Sequence, residues 1–432
     1  MNSEKLFNRN FTLITLGQLI SIFGNMLQRF SLSLYILDLT GSATIFATIL
    51  SLTLLPQIFL APFGGAIADR CNKKTIMVLL DFFSSILLIL FALLLHIASS
   101  QIFLIGILLC LLAIIQSIYD PSVRASIPAI VAEQNLTSAN SVVSQISAIS
   151  NLAAPVAAGF LYGTFGIEMI FLLNILSFLL SAVIELFLSF PYVKQEIEGS
   201  ALTAFAGDIR ESFSFLIYQK RILFYMLLVS CSFNLFLSPI YSIGVPYIEK
   251  VVFGVSNQLY GISEGFVGLG MITGALLVNV LSRKLPVTKL HCYFLFLVIL
   301  ILGMGATTLP FIMKENAISY LSYSIFTFIG FLFSVCLAVI NVLCITFVQI
   351  ETPIAMMGKI MALVTSLSLA LMPVGQILFG TLYEIFSGSE MIIYLIVAVI
   401  IGSGTFLIYR LTFSEAFHST ETAKKLVHGN DE

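Results

Sequence analysis

Charge is scarce in this chain. Asp, Glu, Lys and Arg together make up 10% of its 432 residues, against about 25% in an ordinary soluble domain. Hydrophobic residues make up 59%, and the mean hydropathy is +1.06. Because a water-soluble fold cannot bury that much apolar surface, the composition predicts a protein that crosses a membrane many times. The net charge of -2 gives no indication of a nucleic-acid partner.

The residues that build catalytic and metal centres are also few or unsuitably spaced. The six cysteines form no C-x-x-C pair and the four histidines show no metal-ligand spacing, so we expect no metal and no cofactor. The chain has no G-x-x-x-x-G-K-[ST] loop, the motif that binds nucleotide phosphates. It also lacks a His with a Ser, or two Asp, at one depth in the membrane, so we expect no enzymatic activity.

Twelve apolar runs follow one another along the chain, each near the length of about 20 residues that spans a bilayer. The first run continues for about 26 residues, which is too long for the apolar core of a cleaved signal peptide. The polar stretch 190–221 separates six runs from six. This pattern predicts an all-α membrane protein. The predicted helices 1 to 12 cover 11–37, 43–68, 75–98, 101–119, 138–163, 167–189, 222–247, 258–282, 288–312, 316–347, 355–384 and 391–411.

Lys and Arg placement predicts the orientation, because cytoplasmic loops retain these residues. With both termini in the cytoplasm, Lys250 and Lys314 lie outside, Arg29 lies within a span, and the other seventeen of the twenty basic residues face the cytoplasm. The predicted domains are an N-terminal six-helix bundle (1–189), a cytoplasmic linker (190–221), a C-terminal six-helix bundle (222–411) and a cytoplasmic tail (412–432).

The two halves also resemble each other in sequence. Gly, Leu, Tyr and Phe recur at a constant shift of 221 between 159–166 in helix 5 and 380–387 in helix 11. Duplicated halves are the means by which many secondary transporters build a central site that opens to either side.

A short polar segment, Gly65-Ala-Ile-Ala-Asp69-Arg70-Cys-Asn72-Lys73-Lys74, separates helices 2 and 3. It resembles the loop signature that the major facilitator superfamily carries between these helices, and with the six-plus-six arrangement the resemblance covers nearly the whole chain. The family has Gly where this chain has Asn72. We expect Asn72 to adopt the left-handed backbone conformation of that Gly, since Asn tolerates it better than most residues.

In the major facilitator superfamily this loop latches the two halves together on the cytoplasmic side. The resemblance implies that Asp69 faces the start of helix 11 near Lys359, and that Arg70 reaches Asp120 at the end of helix 4. Contacts made in only one conformation bias a two-state equilibrium, so we expect neutralising Asp69 to lower transport. The implied latch residues are Gly65, Asp69, Arg70, Lys73, Lys74, Asp120, Arg124 and Lys359.

Helix 5 carries Ala154-Pro155-Val-Ala-Ala158-Gly159. This segment resembles the antiporter signature Gly-Pro-x-x-Gly-Gly, with Ala154 and Ala158 in place of glycines. Small residues four apart allow close helix packing, and a proline bends its own helix. The resemblance implies an antiporter, with Ala154, Pro155 and Gly159 as its helix 5 residues, and an ordinary close helix contact is the alternative.

Further segments resemble the drug:proton antiporter branch that contains macrolide efflux proteins and the enterobactin exporter. They are Gly17-Gln18 in helix 1, Asp120-Pro121 in helix 4, Ser263-Glu264 in helix 8 and Met372-Pro373 in helix 11. Such transporters commonly place an Arg linked to proton coupling in the middle of helix 4. Here 108–116 contains no Arg, so the usual proton relay is not expected.

Ionisable side chains inside a span are costly, at roughly 2.5–3.5 kcal/mol each, and are therefore functional candidates. Arg29 in helix 1 and Glu264 in helix 8 lie at similar depth in the outer half. They are interpreted as an outer-side pair. The alternatives are that Glu264 alone binds the proton, that both side chains reach out to the outer interface, or that they form a static structural pair. We expect the carboxyl groups at outer helix ends to be hydrated, namely Asp38, Glu168, Glu249, Glu384 and Glu390. We expect Asp81 and Glu185 to pair with basic loops, with contact to the substrate as the alternative.

The family resemblance implies that helices 1, 4, 7 and 10 line a central cavity. An apolar cavity with a few amides suits bulky amphiphiles better than sugars or phosphates. The candidate cavity residues are Gln18, Asn25, Gln28, Gln116, Asn234 and Asn341.

The sequence therefore predicts a secondary transporter that exports lipophilic or amphiphilic, drug-like molecules by alternating access, in exchange for protons. A siderophore or lipid-like metabolite exporter on the same fold is the alternative, and a receptor, channel or intramembrane enzyme belongs to other classes. The expected partners are a hydrophobic small molecule and membrane lipids, for a monomer without cofactor or nucleic acid. Its expected location is a bacterial cell membrane, which it crosses many times.

Overall fold

The computed structural model describes residues 6–97, 100–189, 212–284, 289–309, 320–353 and 356–406. Within these ranges it describes all side chains except those of 61, 62, 65, 66, 69, 70, 219, 221, 222, 279 and 282–284. The predicted tail 412–432 and most of the predicted linker, 190–211, lie outside the described residues.

The described part is helical throughout. Nine helices are long and apolar enough to cross a membrane, and two shorter apolar helices accompany them. The longest, Leu136–Leu186, is interrupted at Gly166 (φ 80°, ψ -174°), a conformation that is essentially restricted to glycine. It therefore supplies two spans, so the described part has ten such segments and, with the two shorter apolar helices, the predicted twelve.

The helices are numbered as the spans were predicted. Residues 136–165 form α5 and 167–186 form α6, on either side of Gly166. The others are α1 Arg9–Thr40, α2 Ala43–Arg70, α3 Lys73–Leu95, α4 Gln101–Ile130, α7 Leu223–Val252, α8 Asn257–Lys284, α9 Leu290–Ala306, α10 Tyr320–Glu351, α11 Met357–Ile385 and α12 Met391–Phe406.

Polar residues at helix starts accept the free backbone N–H groups of the first turn. Asn8 accepts from Phe11 at 2.9 Å and so caps α1, and Ser42 and Ser100 cap α2 and α4. Asn72 caps α3 in an extended conformation (φ -68°, ψ 110°). The expectation that Asn72 adopts a left-handed conformation is therefore wrong, and side-chain capping explains the Asn in place of Gly.

α7 differs from the other spans in its winding. Three five-residue stretches of it, Phe233–Leu237, Ile240–Gly244 and Ile248–Val252, are π-helical. π-Helical turns are rare and are frequent at functional sites. They mark α7 as the span with the most irregular backbone in the described part.

The helix α3 exposes an apolar face and buries polar side chains, as suits a lipid-embedded protein. On α3, Leu79, Ile86 and Leu93 recur every seventh residue and are each about three-fifths exposed. The opposite face buries Asp81 and Ser84 almost completely. This inversion of the soluble pattern means that the exposed face of α3 is suited to lipid.

The chain divides into two compact units. The first contains Met1–Arg210, Ser238–Gly265 and Thr365–Glu384, that is α1 to α6 with parts of α7, α8 and α11. Within it α1 packs on α6, and α2 packs on α4. Gly64 permits that second contact, since a Cβ there would lie 2.0 Å from the Ser117 carbonyl oxygen.

The second unit contains Glu211–Leu237, Phe266–Val364 and Ile385–Glu432. Within it α9 packs along α10. An ion pair of 2.9 Å joins Lys220, before α7, to Glu351 at the end of α10. The predicted division of the chain into bundles at 190–221 stays a prediction.

Candidate functional site: a membrane cavity

A cavity of about 300 Å³ lies inside the first unit, at the lower end of the size range of small-molecule sites. α1, α2, α5, α7, α8 and α11 each contribute to its wall. Most of the lining is apolar, and charge enters through one cation and one carboxylate. The lining residues are Met26, Arg29, Phe30, Ser33, Leu34, Leu37, Phe46, Leu50, Asn151, Pro155, Tyr241, Ser242, Pro246, Tyr260, Glu264, Met372 and Gln376.

Glu264 is the carboxylate of this cavity, and two tyrosines hold it. Tyr260 donates to it at 3.0 Å, and Tyr241 donates a second hydrogen bond. The ring of Tyr260 stacks on Phe30 of α1, with ring centroids 5.1 Å apart and an interplanar angle of 9°. One aromatic stack thus fixes the orientation of the cavity carboxylate.

Arg29 lines the same cavity and also a smaller void of about 40 Å³. It does not pair directly with Glu264, since the ion pairs between described side chains are Lys220–Glu351 and Lys250–Asp38. The structure therefore places the two predicted charges around one space, which leaves room for a ligand between them.

A second carboxyl group, Glu249 of α7, lies close to Glu264. It is fully buried and accepts a hydrogen bond of 2.5 Å from Ser263, while its other oxygen has no hydrogen-bond partner among the described residues. The expectation that Glu249 is hydrated at a helix end is wrong. The π-helical stretch Ile248–Val252 contains this residue, and hydropathy gives no signal for such an inward turn.

The smaller void gathers three of the predicted cavity residues, Asn25, Gln28 and Gln116. Asn25 donates to Gln116 at 3.2 Å, and Gln116 donates to Asp120 one turn further along α4. Gln28 is buried, and neither of its amide atoms forms a hydrogen bond within the part of the chain that the structure describes. A polar chain therefore runs from the void to the predicted latch residue Asp120.

The other predicted cavity residues lie elsewhere. Gln18 lines neither void and instead donates to Tyr119 at 3.0 Å. In the second unit, Asn234 donates to the Ser230 carbonyl at 3.1 Å within α7. Asn341 lies exposed on α10.

An outer clasp closes the first unit on its predicted outer side. We use this name for Asp38, Tyr162, Lys250 and Asn257. Lys250 at the end of α7 forms an ion pair of 3.0 Å with Asp38 at the end of α1, and Lys250 donates to Asn257 at 2.5 Å. Tyr162 of α5 and Asn257 also donate to Asp38, at 2.9 and 3.3 Å.

Sequence reasoning missed this clasp, because Asp38 was expected to be merely hydrated. The available signal was the opposite charge of Asp38 and Lys250 at the outer ends of helices 1 and 7. That signal does not show which helix ends are neighbours.

α5 and α8 approach each other closely at the predicted antiporter segment. A Cβ on Gly159 would lie 2.5 Å from the Asn257 carbonyl oxygen and 2.9 Å from Gly261. Ala154 is fully buried, and Pro155 lines the cavity. The small residues of α5 thus seat α8 against it, and the antiporter role itself stays a prediction.

The structure does not describe the side chains of three of the eight cytoplasmic latch residues. The side chains of Gly65, Asp69 and Arg70 are among those not described, so the implied contacts with Asp120 and Lys359 stay predictions. Lys73 and Lys74 begin α3, Lys359 lies at the start of α11, and Arg124 lies exposed on α4 one turn after Asp120.

Asp81 and Glu185 pair with none of the basic side chains that the structure describes, and in that part of the chain the expectation of pairing with basic loops is wrong. Both are at most 1% exposed inside the first unit. They lie near each other and near Tyr119.

The apolar spans of the described part and the largely apolar cavity inside the first unit are typical of a polytopic membrane transporter. Residues 14–376 match the sequence profile of the Major Facilitator Superfamily. Since this range is more than half of the chain, the protein belongs to that family of membrane transporters.

Its relatives include an uncharacterized MFS-type transporter of Bacillus subtilis, YvqJ, which is 23% identical over 440 residues and 99% of both chains. Macrolide efflux protein A of Streptococcus pyogenes is 23% identical over 273 residues, covering 63% of this chain and 67% of the relative.

Solved structures share the fold. A bacterial homologue of the iron transporter ferroportin, in an inward-facing state, has a TM-score of 0.70 at 18% identity, over 93% of this chain and 98% of that one. The nucleoside transporter NupG has a TM-score of 0.70 at 14% identity, over 93% and 99%. At these identities the likeness shows the fold alone.

Proposed function

We propose that the protein is a secondary active exporter that moves lipophilic or amphiphilic, macrolide-like molecules out of the cell in exchange for protons. The observation that carries this proposal is the cavity of about 300 Å³ with Arg29 and Glu264 in an otherwise mostly apolar wall. The relatives named macrolide efflux protein A support the substrate class.

The cavity wall suits an amphiphile. Phe30, stacked on Tyr260, offers an aromatic surface, and Met26 and Met372 offer adaptable apolar contact. Glu264, oriented by its two tyrosines, would receive a cationic or hydroxyl group of the substrate. Arg29 would donate a hydrogen bond to an acceptor group of the substrate. One substrate molecule could then contact both Arg29 and Glu264, which do not form an ion pair with each other.

Alternating access requires a barrier on each side in turn. The outer clasp is the barrier on the predicted outer side, and its ion pair joins α1 to α7. We assign the opposing barrier to the latch residues from Gly65 to Lys74 with Asp120, Arg124 and Lys359. Substrate release outward would require the clasp to part while the latch forms.

The proposal places the protein in a bacterial cell membrane as a monomer that needs no cofactor. A siderophore or lipid-like metabolite remains the alternative substrate, because the same cavity would accept it. A receptor or an intramembrane enzyme would bind a ligand without moving it, and a channel would conduct without exchange.

Counterflow tests the proposal. The full chain is reconstituted in liposomes loaded with unlabelled erythromycin, and uptake of labelled erythromycin is measured, first without and then with a proton gradient. We expect uptake above empty liposomes and further accumulation with the gradient. Competition by a hydroxamate siderophore or a lysophospholipid instead of by macrolides would favour the alternative, and absence of exchange for every compound would contradict a carrier.

A matched pair of variants ties transport to the cavity. Ser33→Trp fills the cavity and should abolish counterflow, whereas Ser324→Trp adds the same side chain on an exposed face of α10. Equal activity of the two variants would show that substrate does not pass through this cavity.

A further inference from the structure

Two carboxyl groups are buried inside the first unit at a place that the transport cavity does not use. Asp81 of α3 is 1% exposed and Glu185 of α6 is fully buried. The two interact electrostatically with each other, and both do so with Tyr119 of α4. We call Asp81 and Glu185 the acid pair.

The acid pair has fewer hydrogen-bond donors than acceptors. Tyr119 donates to Glu185 at 2.7 Å, and Ser181 lies within hydrogen-bonding reach of Asp81. One oxygen of each carboxyl group has no hydrogen-bond partner in the described ranges. Ser84, one turn along α3 from Asp81, is fully buried, and its hydroxyl likewise has no partner in those ranges. A proton on the pair would supply a missing donor.

Electrostatics also favours a proton bound to the acid pair. None of the described Lys, Arg or His side chains contributes to the interactions of the acid pair, and Tyr119 is its titratable neighbour. Gln18 and Ser21 of α1 contact Tyr119 and carry no charge. Two like charges in one buried space cannot both ionise cheaply, so a bound proton would lower the cost of burying the pair.

An apolar layer separates the acid pair from the predicted cytoplasmic ends of the helices. On α1, α3 and α4, and just past the end of α6, the residue about one turn nearer that end is apolar and at most 2% exposed. These residues belong to one packed hydrophobic cluster. They are Ile14 beyond Gln18, Met77 beyond Asp81, Val123 beyond Tyr119 and Leu188 beyond Glu185.

Polar residues continue from the acid pair in the opposite direction. Gln18, Ser21, Asn25 and Gln28 recur at intervals of three or four along α1 and so share one face. Asn25 and Gln28 line the void of about 40 Å³, which is large enough for water. Asn174 of α6 lies buried near Gly24 of that face, and neither of its amide atoms has a hydrogen-bond partner among the residues described. The acid pair is thus sealed on one side and continued by polar groups on the other.

We propose that Asp81 and Glu185 form the proton-binding site that couples this transporter to the proton gradient. A proton entering along the α1 face bonds to a carboxylate oxygen and raises the charge of the pair by one. Its release, when the apolar layer opens, breaks that O–H bond and restores the charge. The inference rests on the proposed exchange for protons, and it assigns coupling to the acid pair and not to Glu264.

The donor set fits a proton better than a metal ion. Among the described residues no group of three or more His, Cys, Asp or Glu side chains could hold a metal. Two carboxyl groups with a phenol and hydroxyls could still receive sodium, so a sodium gradient forms a separate arm of the test. Coupling to sodium and not to protons would overturn the proposal.

Infrared difference spectroscopy tests the site without any substrate. The reconstituted full chain is measured across a pH series, and the carbonyl band of protonated carboxyl groups is followed. We expect a pH-dependent band that Asp81→Asn and Glu185→Gln each alter and that Glu390→Gln leaves unchanged. Glu390 is a matched control, since it is 3% exposed and accepts from the Gly388 N–H at 2.8 Å. A band that neither variant alters, or that does not respond to pH, would overturn the proposal.

Transport separates this inference from the proposed function. With labelled erythromycin, Glu185→Gln should keep counterflow while accumulation driven by a proton gradient falls by about tenfold or more, within the usual range of coupling between linked sites. Accumulation retained in both acid-pair variants would overturn the inference. Wild-type protein that shows no counterflow would contradict the proposed function instead, and the infrared result would still decide the acid pair.

Discussion

Glu264 in the cavity and the acid pair both place carboxyl groups inside membrane helices, yet their surroundings differ. Glu264 receives two tyrosine hydroxyls and shares its cavity with Arg29. Glu185 receives one tyrosine hydroxyl and has Asp81 as its charged neighbour. Glu264 also has a carboxyl neighbour, Glu249, so the difference lies in the donors: two tyrosine hydroxyls donate to Glu264 and one donates to Glu185. Because hydrogen bonds to the charged form of a carboxyl group favour that form, this difference supports our proposals that Glu264 recognises substrate and that the acid pair binds the proton.

Neutralising Glu264 gives the largest expected effect on substrate affinity. Hydrogen bonds to charged groups contribute about 1.5–3 kcal/mol, so Glu264→Gln should raise the KM for a cationic macrolide by about tenfold or more. Accumulation per unit of proton gradient should stay as in the wild type. Uptake kinetics in liposomes at several substrate concentrations provide both numbers.

The control for this variant is Glu168→Gln, a carboxyl group exposed after the α5–α6 break and absent from the cavity. It should change neither the KM nor the accumulation. If Glu264→Gln abolished the response to the proton gradient and left the KM unchanged, Glu264 would be the proton site and the comparison would be reversed.

A smaller effect is expected at the outer clasp. Asp38→Asn removes the negative charge of the ion pair with Lys250, whose N–O distance is 3.0 Å. Partly exposed ion pairs contribute up to about 1 kcal/mol. This corresponds to about a fivefold shift in the equilibrium between the closed and the open clasp. The outer side should therefore open more often. Labelling of a Ser33→Cys reporter in the cavity by a membrane-impermeant maleimide, added outside intact cells, should rise by that factor.

A second reporter, Ser84→Cys beside the acid pair, sharpens the comparison. It should stay unlabelled both when Asp38 is intact and when Asp38→Asn is present, because the acid pair opens by a different movement from the clasp. Equal gains at both reporters would mean that the two regions share one access route.

Much of the fold could be predicted, because its signals are local. Apolar runs indicated the twelve spans, and the loop after helix 2 indicated the family. Polar side chains within a span are costly, so several of them were predicted to be functional. The structure places five of these at the cavity or at the smaller void, namely Arg29, Asn25, Gln28, Gln116 and Glu264.

The errors share one physical cause, which is that hydropathy reports the depth of a residue and not the face of the helix it occupies. Asp81 and Glu185 lie near the predicted cytoplasmic end, yet their faces turn into the bundle instead of toward Lys and Arg in the loops. Gln18 was predicted to line the cavity from its position along helix 1. It lies instead on the face of α1 that contacts Tyr119, next to the acid pair. Long-range pairs such as Asp38 and Lys250 depend on helix packing, which one sequence does not specify.

The smallest expected effect concerns the aromatic stack that positions Glu264. Phe30→Leu keeps an apolar side chain against Tyr260 but removes the stacked ring, a contact worth about 0.5–1.5 kcal/mol. The KM should rise by about threefold for macrolides, in the same direction as Glu264→Gln, since both changes weaken one site. Coupling should stay unchanged, because the stack has no contact with the acid pair. A change in the accumulation ratio in Phe30→Leu, at unaltered KM, would instead connect the cavity carboxylate to proton binding and remove the distinction between the two regions.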